Sequence, residues 1–140
     1  MDSTLSIMVV DDQEDFRDFI VTYLEDEGFS VLQAEDGDSA LEMLSSQRPN
    51  LILLDVMMPH KNGYDVCRDI KTNPDTSDIP VVFVTAKNGL SDKLAGYISG
   101  GQRFLCKPFE LNELDECIRV VMRQQDIRNS QYGTDPHYRA

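Results

Sequence analysis

Leu51-Ile52-Leu53-Leu54 is an uninterrupted apolar run that stops at Asp55. Two similar runs, Ile7 to Val10 and Val81 to Val84, lie before and after it in the chain. Continuous apolar runs, rather than alternating ones, are typical of parallel strands that helices cover on both faces. The three segments therefore predict the central strands of a parallel sheet.

Five short apolar runs alternate with five segments of helical periodicity, a pattern that indicates βαβ units. The predicted strands are Leu5 to Val10, Phe29 to Ala34, Leu51 to Leu54, Ile79 to Val84 and Arg103 to Cys106. We therefore expect an α/β fold, a single doubly wound (βα)5 domain with helices on both faces of the sheet.

The first and last helices have the clearest apolar stripes. The first comprises Phe16, Phe19, Ile20, Tyr23 and Leu24, followed by Gly28 where a helix stop is expected. The last comprises Leu111, Leu114, Cys117, Ile118, Val121 and Met122, and weaker sets are Ala40, Leu41 and Leu44; Val66, Cys67 and Ile70; and Leu94, Ala95 and Ile98. Because the periodicity fades after Arg123, we predict that residues 1–123 form the domain and residues 124–140 a polar tail or the start of a linker.

Composition excludes several classes of function. A formal net charge of −12 repels polyanions, which argues against direct binding of nucleic acid. No apolar run approaches the roughly 20 residues that span a bilayer, so no membrane association is expected. Cys67, Cys106 and Cys117 are too widely spaced to indicate a zinc site or a disulfide framework. We expect reduced thiols and a cytoplasmic protein.

Polar side chains follow four of the predicted strands at the point where each strand ends. Asp11 and Asp12 follow the first strand and Asp55 the third, while Thr85 ends the fourth and Lys107 follows the fifth. Because ligands bind beyond the carboxyl ends of parallel strands, we expect these side chains to converge on one edge of the sheet.

Three clustered carboxylates require compensation by positive charge. Two unit charges about 4 Å apart repel by about 4 kcal/mol at an effective dielectric near 20. Lys107 supplies one positive charge, and the oxygen ligands suit a hard cation such as Mg²⁺ or Mn²⁺. A carboxylate beside such a cation, an ammonium and a hydroxyl is the set of groups that phosphoryl transfer needs. The product would be an aspartyl phosphate.

Four segments of the chain resemble the successive signatures of response regulator receiver domains, in the family's order. They are Val9-Val10-Asp11-Asp12, Leu54-Asp55-Val56-Met57-Met58-Pro59 with Gly63, Val84-Thr85-Ala86, and Phe104-Leu105-Cys106-Lys107-Pro108-Phe109. The resemblance covers roughly residues 5–123 and implies a five-stranded sheet of order 2-1-3-4-5.

The resemblance also implies roles for individual acidic residues. Asp55 would be the phosphoacceptor, and Asp12 would bind the metal directly. Asp11 would bind it directly or through water, and the backbone carbonyl of Met57 would complete the protein ligands.

The remaining site residues would contact the phosphoryl group or transmit its presence. The resemblance implies that Lys107 and the Thr85 hydroxyl contact the phosphoryl group and that Phe104 follows Thr85 inward on activation. It also implies a cis peptide bond between Lys107 and Pro108. The face formed by the fourth helix, fifth strand and fifth helix would then change.

Expected partners follow from the same resemblance. A histidine kinase or histidine phosphotransfer protein would donate the phosphoryl group, and a downstream protein target or output domain would respond. Homodimerisation through the changing face is a further expectation. The domain would be a regulatory phosphoacceptor that catalyses only its own phosphorylation and dephosphorylation.

Three other functions would use some of the same residues: a phosphatase, a cofactor-binding module and a pseudo-receiver. A haloacid-dehalogenase-type phosphatase would need a second aspartate at Met57, and a flavodoxin-like module would not place the acidic segment 11–15 beside an anionic cofactor. A pseudo-receiver that only binds partners typically loses one of the five site residues, all of which are present here. Taken singly, Asp12 could be only a helix N-cap and Lys107 only a surface lysine. His60 and His137 are interpreted as exposed residues without a catalytic role.

Overall fold

The computed structural model describes residues 5–128, which fall into two compact units divided between Lys107 and Pro108. The first unit contains β1 (Ser6–Val10), α1 (Glu14–Asp26), β2 (Ser30–Ala34), α2 (Gly37–Leu44), β3 (Leu51–Leu54), α3 (Gly63–Thr72), β4 (Val81–Thr85), α4 (Leu90–Ile98) and β5 (Arg103–Cys106). The second contains α5 (Leu111–Arg128). His137 and the rest of the predicted tail beyond residue 128 lie outside the described residues.

The five strands form one parallel sheet of order β2-β1-β3-β4-β5, which confirms the predicted α/β fold and strand order. β1 pairs with β2 on one side and with β3 on the other, so that Ile7 lies beside both Val31 and Leu51. The direction of winding therefore reverses between β1 and β3. In such sheets this reversal opens a crevice at the carboxyl ends of the strands.

The central strands are buried on both faces, as their continuous apolar sequences predicted. On one face, Met8, Ile52 and Phe83 pack in a cluster with Val66 and Ile70 of α3. The intervening strand residues, which point to the opposite face, are buried as well. Burial of both faces explains why β1, β3 and β4 are apolar throughout, except at Ser6, which opens β1, and Thr85, which ends β4.

Several predicted boundaries shift by a few residues, and the largest changes are in the fourth strand and the last helix. The fourth strand was expected over Ile79 to Val84 but runs from Val81 to Thr85. Pro80 has no N–H to donate to a ladder, although its carbonyl accepts a hydrogen bond from the Ile52 amide. The helix predicted to fade after Arg123 continues to Arg128.

The predicted apolar stripe of α1 is wrong at one position. Ile20 and Leu24 are buried, but Phe19 is 54% exposed and Val21 is buried instead. Successive helical residues are rotated by about 100°, so Phe19 and Val21 point to opposite sides of Ile20. Gly28, in the left-handed conformation with φ of 99°, ends the turn after α1 as predicted.

α4 is packed differently from the prediction. Leu94 and Ile98, which suggested its buried face, are exposed, and the buried residue of the helix is Gly96. A Cβ at Gly96 would lie 3.0 Å from the Phe104 ring, so this glycine allows α4 to approach β5 closely. An apolar surface on α4 is left facing outward.

The three cysteines are free thiols, in agreement with the prediction. Among residues 5–128, no helix combines the length and the apolar character needed to cross a bilayer.

Candidate functional site

Three carboxylates meet at the carboxyl edge of the sheet, where β1 and β3 end. Asp11 and Asp12 follow β1, and the Asp55 amide donates to the Val10 carbonyl at 3.0 Å, which places Asp55 directly beside them. One carboxylate oxygen from each aspartate lies within 4.8 Å of the others. Asp11 and Asp55 are buried, whereas Asp12 is exposed. The predicted convergence of the acids is therefore present in the structure.

Lys107 brings positive charge to the acids from the end of β5. Its ammonium lies 2.8 Å from Asp11 Oδ2 and 3.6 Å from Asp55 Oδ2. The Lys107 amide donates to the Thr85 carbonyl at 2.8 Å, which fixes the backbone from which the side chain reaches the acids. With a side chain only 14% exposed, Lys107 is not the surface lysine of the alternative interpretation.

Burial is the largest influence on Asp11 and raises the pKa of its carboxyl. Hydrogen bonds from Lys107 and from the Gln13 amide oppose this rise, and the nearby charge of Asp55 adds to it. Ionised Asp11 is therefore costly despite its lysine partner. A bound cation would reduce that cost.

The segment after β1 is held by hydrogen bonds rather than by a side-chain cap. The Gln13 amide donates to Asp11 Oδ1 at 2.9 Å, and Arg17 Nη1 donates to the Asp11 carbonyl at 2.7 Å. The N-cap of α1 is Gln13, so the interpretation of Asp12 as only an N-cap is wrong. Asp12 remains available to a ligand.

The loop after β3 orients Asp55 and approaches α3 closely. The Met57 amide donates to Asp55 Oδ1 at 3.3 Å. The Gly63 amide donates to the Val56 carbonyl at 2.9 Å, and a Cβ at Gly63 would overlap the carbonyl oxygen of Asp55. Only glycine lets α3 begin this close to the aspartate.

Thr85 and Phe104 occupy neighbouring strands, as predicted. Thr85 is fully buried at the end of β4, and its hydroxyl accepts a hydrogen bond from the Lys87 amide at 3.3 Å. Phe104 lies on β5 beside Phe83, with ring centroids 5.8 Å apart, and packs against the core cluster. The Phe104 ring is already half-buried in this structure, so an inward movement on activation would not start from a fully exposed ring.

A groove opens beside the acid cluster, where a partner could reach Asp12. Its lining residues are Asp12, Val56, Met57, Met58, Pro59, Asn62, Tyr64 and Lys87. His60, in the loop between β3 and α3, is exposed and adopts a positive φ of 71°. Its exposure agrees with the prediction.

Two residues that contact Lys107 or its partner Asp11 were given no site role on the basis of the sequence. Phe16 was assigned to the apolar stripe of α1, but its ring centroid lies 3.8 Å from the Lys107 ammonium. Arg17, which holds the Asp11 carbonyl, was given no role. Their position four and five residues after Asp12, in the first turns of α1, was the available signal, because that end of the helix faces the sheet edge.

Comparison with known proteins places this geometry in a family. A model of the "Response regulator receiver domain" matches residues 7–119. The chain is 37% identical over 124 residues to the "Probable transcriptional regulator ycf27" of Porphyridium aerugineum, covering 89% of this chain and 50% of that protein. It is 37% identical over 128 residues to "Response regulator MprA" of Mycobacterium ulcerans, covering 91% and 54% respectively. The chain thus spans about half the length of the curated relatives it matches.

Solved structures give the same result. The chemotaxis protein CheY4 of Vibrio cholerae superposes with a TM-score of 0.81 at 26% identity, covering 85% of this chain and 99% of that one. The family match extends from β1 to α5 and includes every residue of the acid cluster and its lysine. The chain therefore belongs to the response regulator receiver domain family of two-component signalling.

Proposed function

We propose that this receiver domain is a phosphorylation-dependent switch in which Asp55 accepts a phosphoryl group from a histidine kinase or histidine phosphotransfer protein. The observation that carries the proposal is the meeting of three aspartate oxygens within 4.8 Å, beside the ammonium of Lys107. The domain is regulatory, and it would catalyse only its own phosphorylation and dephosphorylation.

The donor set fits a hard divalent cation, Mg²⁺ or Mn²⁺. Asp11, Asp12 and Asp55 would hold it, together with the backbone carbonyl of Met57. Burial raises the pKa of Asp11, so the cluster favours a cation as compensation, and exposed Asp12 leaves a route of entry. When bound, the cation would neutralise oxygens of the transferring phosphoryl group.

Asp55 is prepared as the nucleophile by its neighbours. The Met57 amide orients one carboxylate oxygen, and the Lys107 ammonium lies 3.6 Å from the other. In the transfer, a bond forms between a carboxylate oxygen and phosphorus while the phosphorus–nitrogen bond of phosphohistidine breaks and the imidazole leaves. Lys107 would place its charge on the phosphoryl oxygens, and the Thr85 hydroxyl would donate to one of them.

The output would pass through Thr85 and Phe104. A shift of the buried Thr85 toward the phosphoryl group would draw the Phe104 ring deeper beside Phe83 and change the adjoining surface of α4 and β5. Exposed Leu90, Leu94, Tyr97 and Ile98 give α4 an apolar surface suited to a protein partner. We propose that partner binding or homodimerisation uses this surface of α4 together with β5.

The signal would be received by an output domain or by a separate downstream protein. The curated relatives are about twice as long as the matched region, which leaves room in them for an output domain. Residues 1–123 would be the receiver and residues 124–140, which include the end of α5, a tail or linker. The protein would be cytoplasmic, with no direct binding of nucleic acid and no membrane association. We also propose that the Lys107–Pro108 peptide bond is cis, which proline carbon chemical shifts would test.

Intact-mass measurement tests the proposed function. Incubation with acetyl phosphate and Mg²⁺ should add one phosphoryl group, and the same incubation with EDTA should add none. Retention of the full adduct in EDTA would contradict the role of the cation. Absence of an adduct in Mg²⁺ would contradict the assignment as a phosphoacceptor.

A further inference from the structure

The ammonium of Lys107 lies against an aromatic ring as well as two carboxylates. Its Nζ is 3.8 Å from the centroid of the Phe16 ring, 2.8 Å from Asp11 Oδ2 and 3.6 Å from Asp55 Oδ2. A cation within about 6 Å of a ring centroid is attracted by the negative face of the ring. The attraction is strongest where water is excluded, and the Lys107 side chain is largely buried.

We propose that Phe16 is a positioning residue for Lys107, whose ring holds the ammonium over the phosphoacceptor. The inference rests on the proposed role of Lys107 in phosphoryl transfer. It goes beyond that role by adding an aromatic ring that acts through its contact with the ammonium.

The backbone that carries Phe16 is well fixed. The Arg17 amide donates to the Gln13 carbonyl at 2.9 Å in the first turn of α1, and the Arg17 guanidinium holds the Asp11 carbonyl at 2.7 Å. The ring therefore projects from an element tied directly to the acid cluster. The fold therefore sets the backbone position from which the ring reaches the Lys107 ammonium.

Lys107 and the proposed divalent cation compete for the same carboxylate, so a neutral partner for Lys107 is useful in this site. Asp11 is the nearest partner of the ammonium and also a proposed ligand of the divalent cation. When a cation binds, it competes with the ammonium for the carboxylates and repels it. The ring of Phe16 keeps its attraction in that state, and it adds no negative charge that would compete with phosphoryl oxygens for Lys107.

The chain supplies a matched control on the same helix. Phe19 is also a phenylalanine of α1, but it is 54% exposed and points away from the buried face. Substitution of Phe19 by leucine removes an equal ring from α1. It should leave the phosphorylation rate unchanged.

The test compares phosphorylation rates at saturating Mg²⁺, with acetyl phosphate as donor and intact mass as readout. Phe16→Leu should slow the reaction about fivefold, which corresponds to about 1 kcal/mol. Phe16→Tyr keeps an aromatic face and should restore the rate to within about twofold of the parent. Urea unfolding of each variant checks that the fold is kept.

Fluorination of the Phe16 ring separates electrostatics from shape. Progressive replacement of ring hydrogens by fluorine weakens the negative face with little change in size, so the rate should fall stepwise with the number of fluorines. Equal rates across the fluorinated series would overturn the proposal and leave Phe16 a packing residue. If the parent itself gains no phosphoryl group, the proposed function fails instead, so the two failures are distinguishable.

Discussion

The carboxylate of Asp55 is the single group on which the proposed chemistry depends. Asp55→Asn replaces it with a nearly isosteric amide that is not a nucleophile, so the acetyl phosphate adduct should disappear. The fold should persist, because the amide oxygen can still accept the hydrogen bond from the Met57 amide. Intact mass and circular dichroism check the two expectations. An adduct of undiminished yield on this variant would refute the assignment.

Asp12 is the exposed member of the acid cluster, and its removal should affect the metal more than the fold. Asp12→Ala should weaken Mg²⁺ binding by about tenfold or more, since one of the carboxylates proposed to hold the cation is lost. The metal-free protein should become more stable, because repulsion among the carboxylates is relieved. Titration with Mg²⁺ measures the first effect and urea unfolding the second.

The matched control for Asp12→Ala is Asp15→Ala, which removes an exposed acid from the first turn of α1. Asp15→Ala should leave Mg²⁺ affinity within about twofold, since distant exposed charges are screened by salt. Equal losses of affinity in the two variants would show that general surface charge, not a defined site, attracts the cation.

For individual residues, the sequence predicted which side chains lie at the ends of strands. It did not predict which side chains of different elements contact one another. Asp11, Asp55, Thr85 and Lys107 could be placed together because each ends a strand of one parallel sheet. The position of Phe16 in the first turns of α1 placed it near this sheet edge, but its contact with Lys107 depends on where the ring points relative to a residue far along the chain. Periodicity alone assigns such a ring to the core.

Among the elements, α2 begins with an ionisable cap that makes its stability depend on pH. The Ser39 amide donates to Asp36 Oδ1 at 2.7 Å, and this hydrogen bond lowers the pKa of the Asp36 carboxyl. A pKa lower in the folded than in the unfolded state means that stability is fully present above pH about 4 and is lost as the pH falls through the folded-state pKa.

Asp36→Ala should therefore lower the free energy of unfolding by about 1 kcal/mol at neutral pH. The difference from the parent should shrink as the pH falls below about 4, once the carboxyl becomes protonated in the folded state as well as in the unfolded state. Urea unfolding at several pH values measures this, with Asp38→Ala as the control because Asp38 is an exposed acid in the first turn of the same helix but is not its N-cap. A difference that stays constant down to low pH would contradict the cap's role.

The first residue of α3, Gly63, lies so close to the backbone of Asp55 and Val56 that a larger residue does not fit there. A Cβ at Gly63 would overlap the Asp55 carbonyl oxygen and lie 2.9 Å from the Val56 Cα, both of which are backbone atoms that cannot swing aside. Gly63→Ala should cost about 1–3 kcal/mol of stability and slow phosphorylation, because the aspartate must shift. Thermal unfolding together with the phosphorylation rate checks this. A variant with the parent's stability and rate would show that α3 can move freely.

The order of elements was predictable because strands buried on both faces have continuous apolar sequences, as β1, β3 and β4 do. Details that depend on packing were not. Pro80 shortens the start of β4, and α4 turns Leu94 and Ile98 outward because Gly96 is its contact with β5. Apolar residues at helical spacing predict a helix, but they do not say which side of it is covered.

At the scale of the whole molecule, the proposal requires that chemistry at Asp55 changes a surface on α4. Driving a two-state surface from 1:99 to 99:1 takes about 5.5 kcal/mol of differential interaction. One charge-assisted hydrogen bond from the Thr85 hydroxyl supplies about 1.5–3 kcal/mol of that. Loss of this bond should leave the coupling incomplete rather than abolish it.

Thr85→Ala should therefore accept a phosphoryl group on Asp55 but show a much smaller response at Phe104 and over residues 94–98. Backbone NMR shifts of parent and variant, each with and without phosphoryl donor and Mg²⁺, measure that response. Thr76→Ala is a suitable control, because Thr76 is also a buried threonine but lies beyond the end of α3, where its hydroxyl donates to the Ile70 carbonyl of that helix. A Thr85→Ala variant that responds as fully as the parent would contradict the relay.

Borohydride trapping tests the central claim most directly, because it identifies which carboxylate carries the phosphoryl group. Borohydride reduces an aspartyl phosphate to homoserine, and peptide mapping by mass spectrometry then locates the modified residue. After incubation with acetyl phosphate and Mg²⁺, we predict homoserine at position 55 and unmodified aspartate at positions 11 and 12. Homoserine at position 11 or 12, with Asp55 intact, would contradict the assignment of Asp55 as the phosphoacceptor.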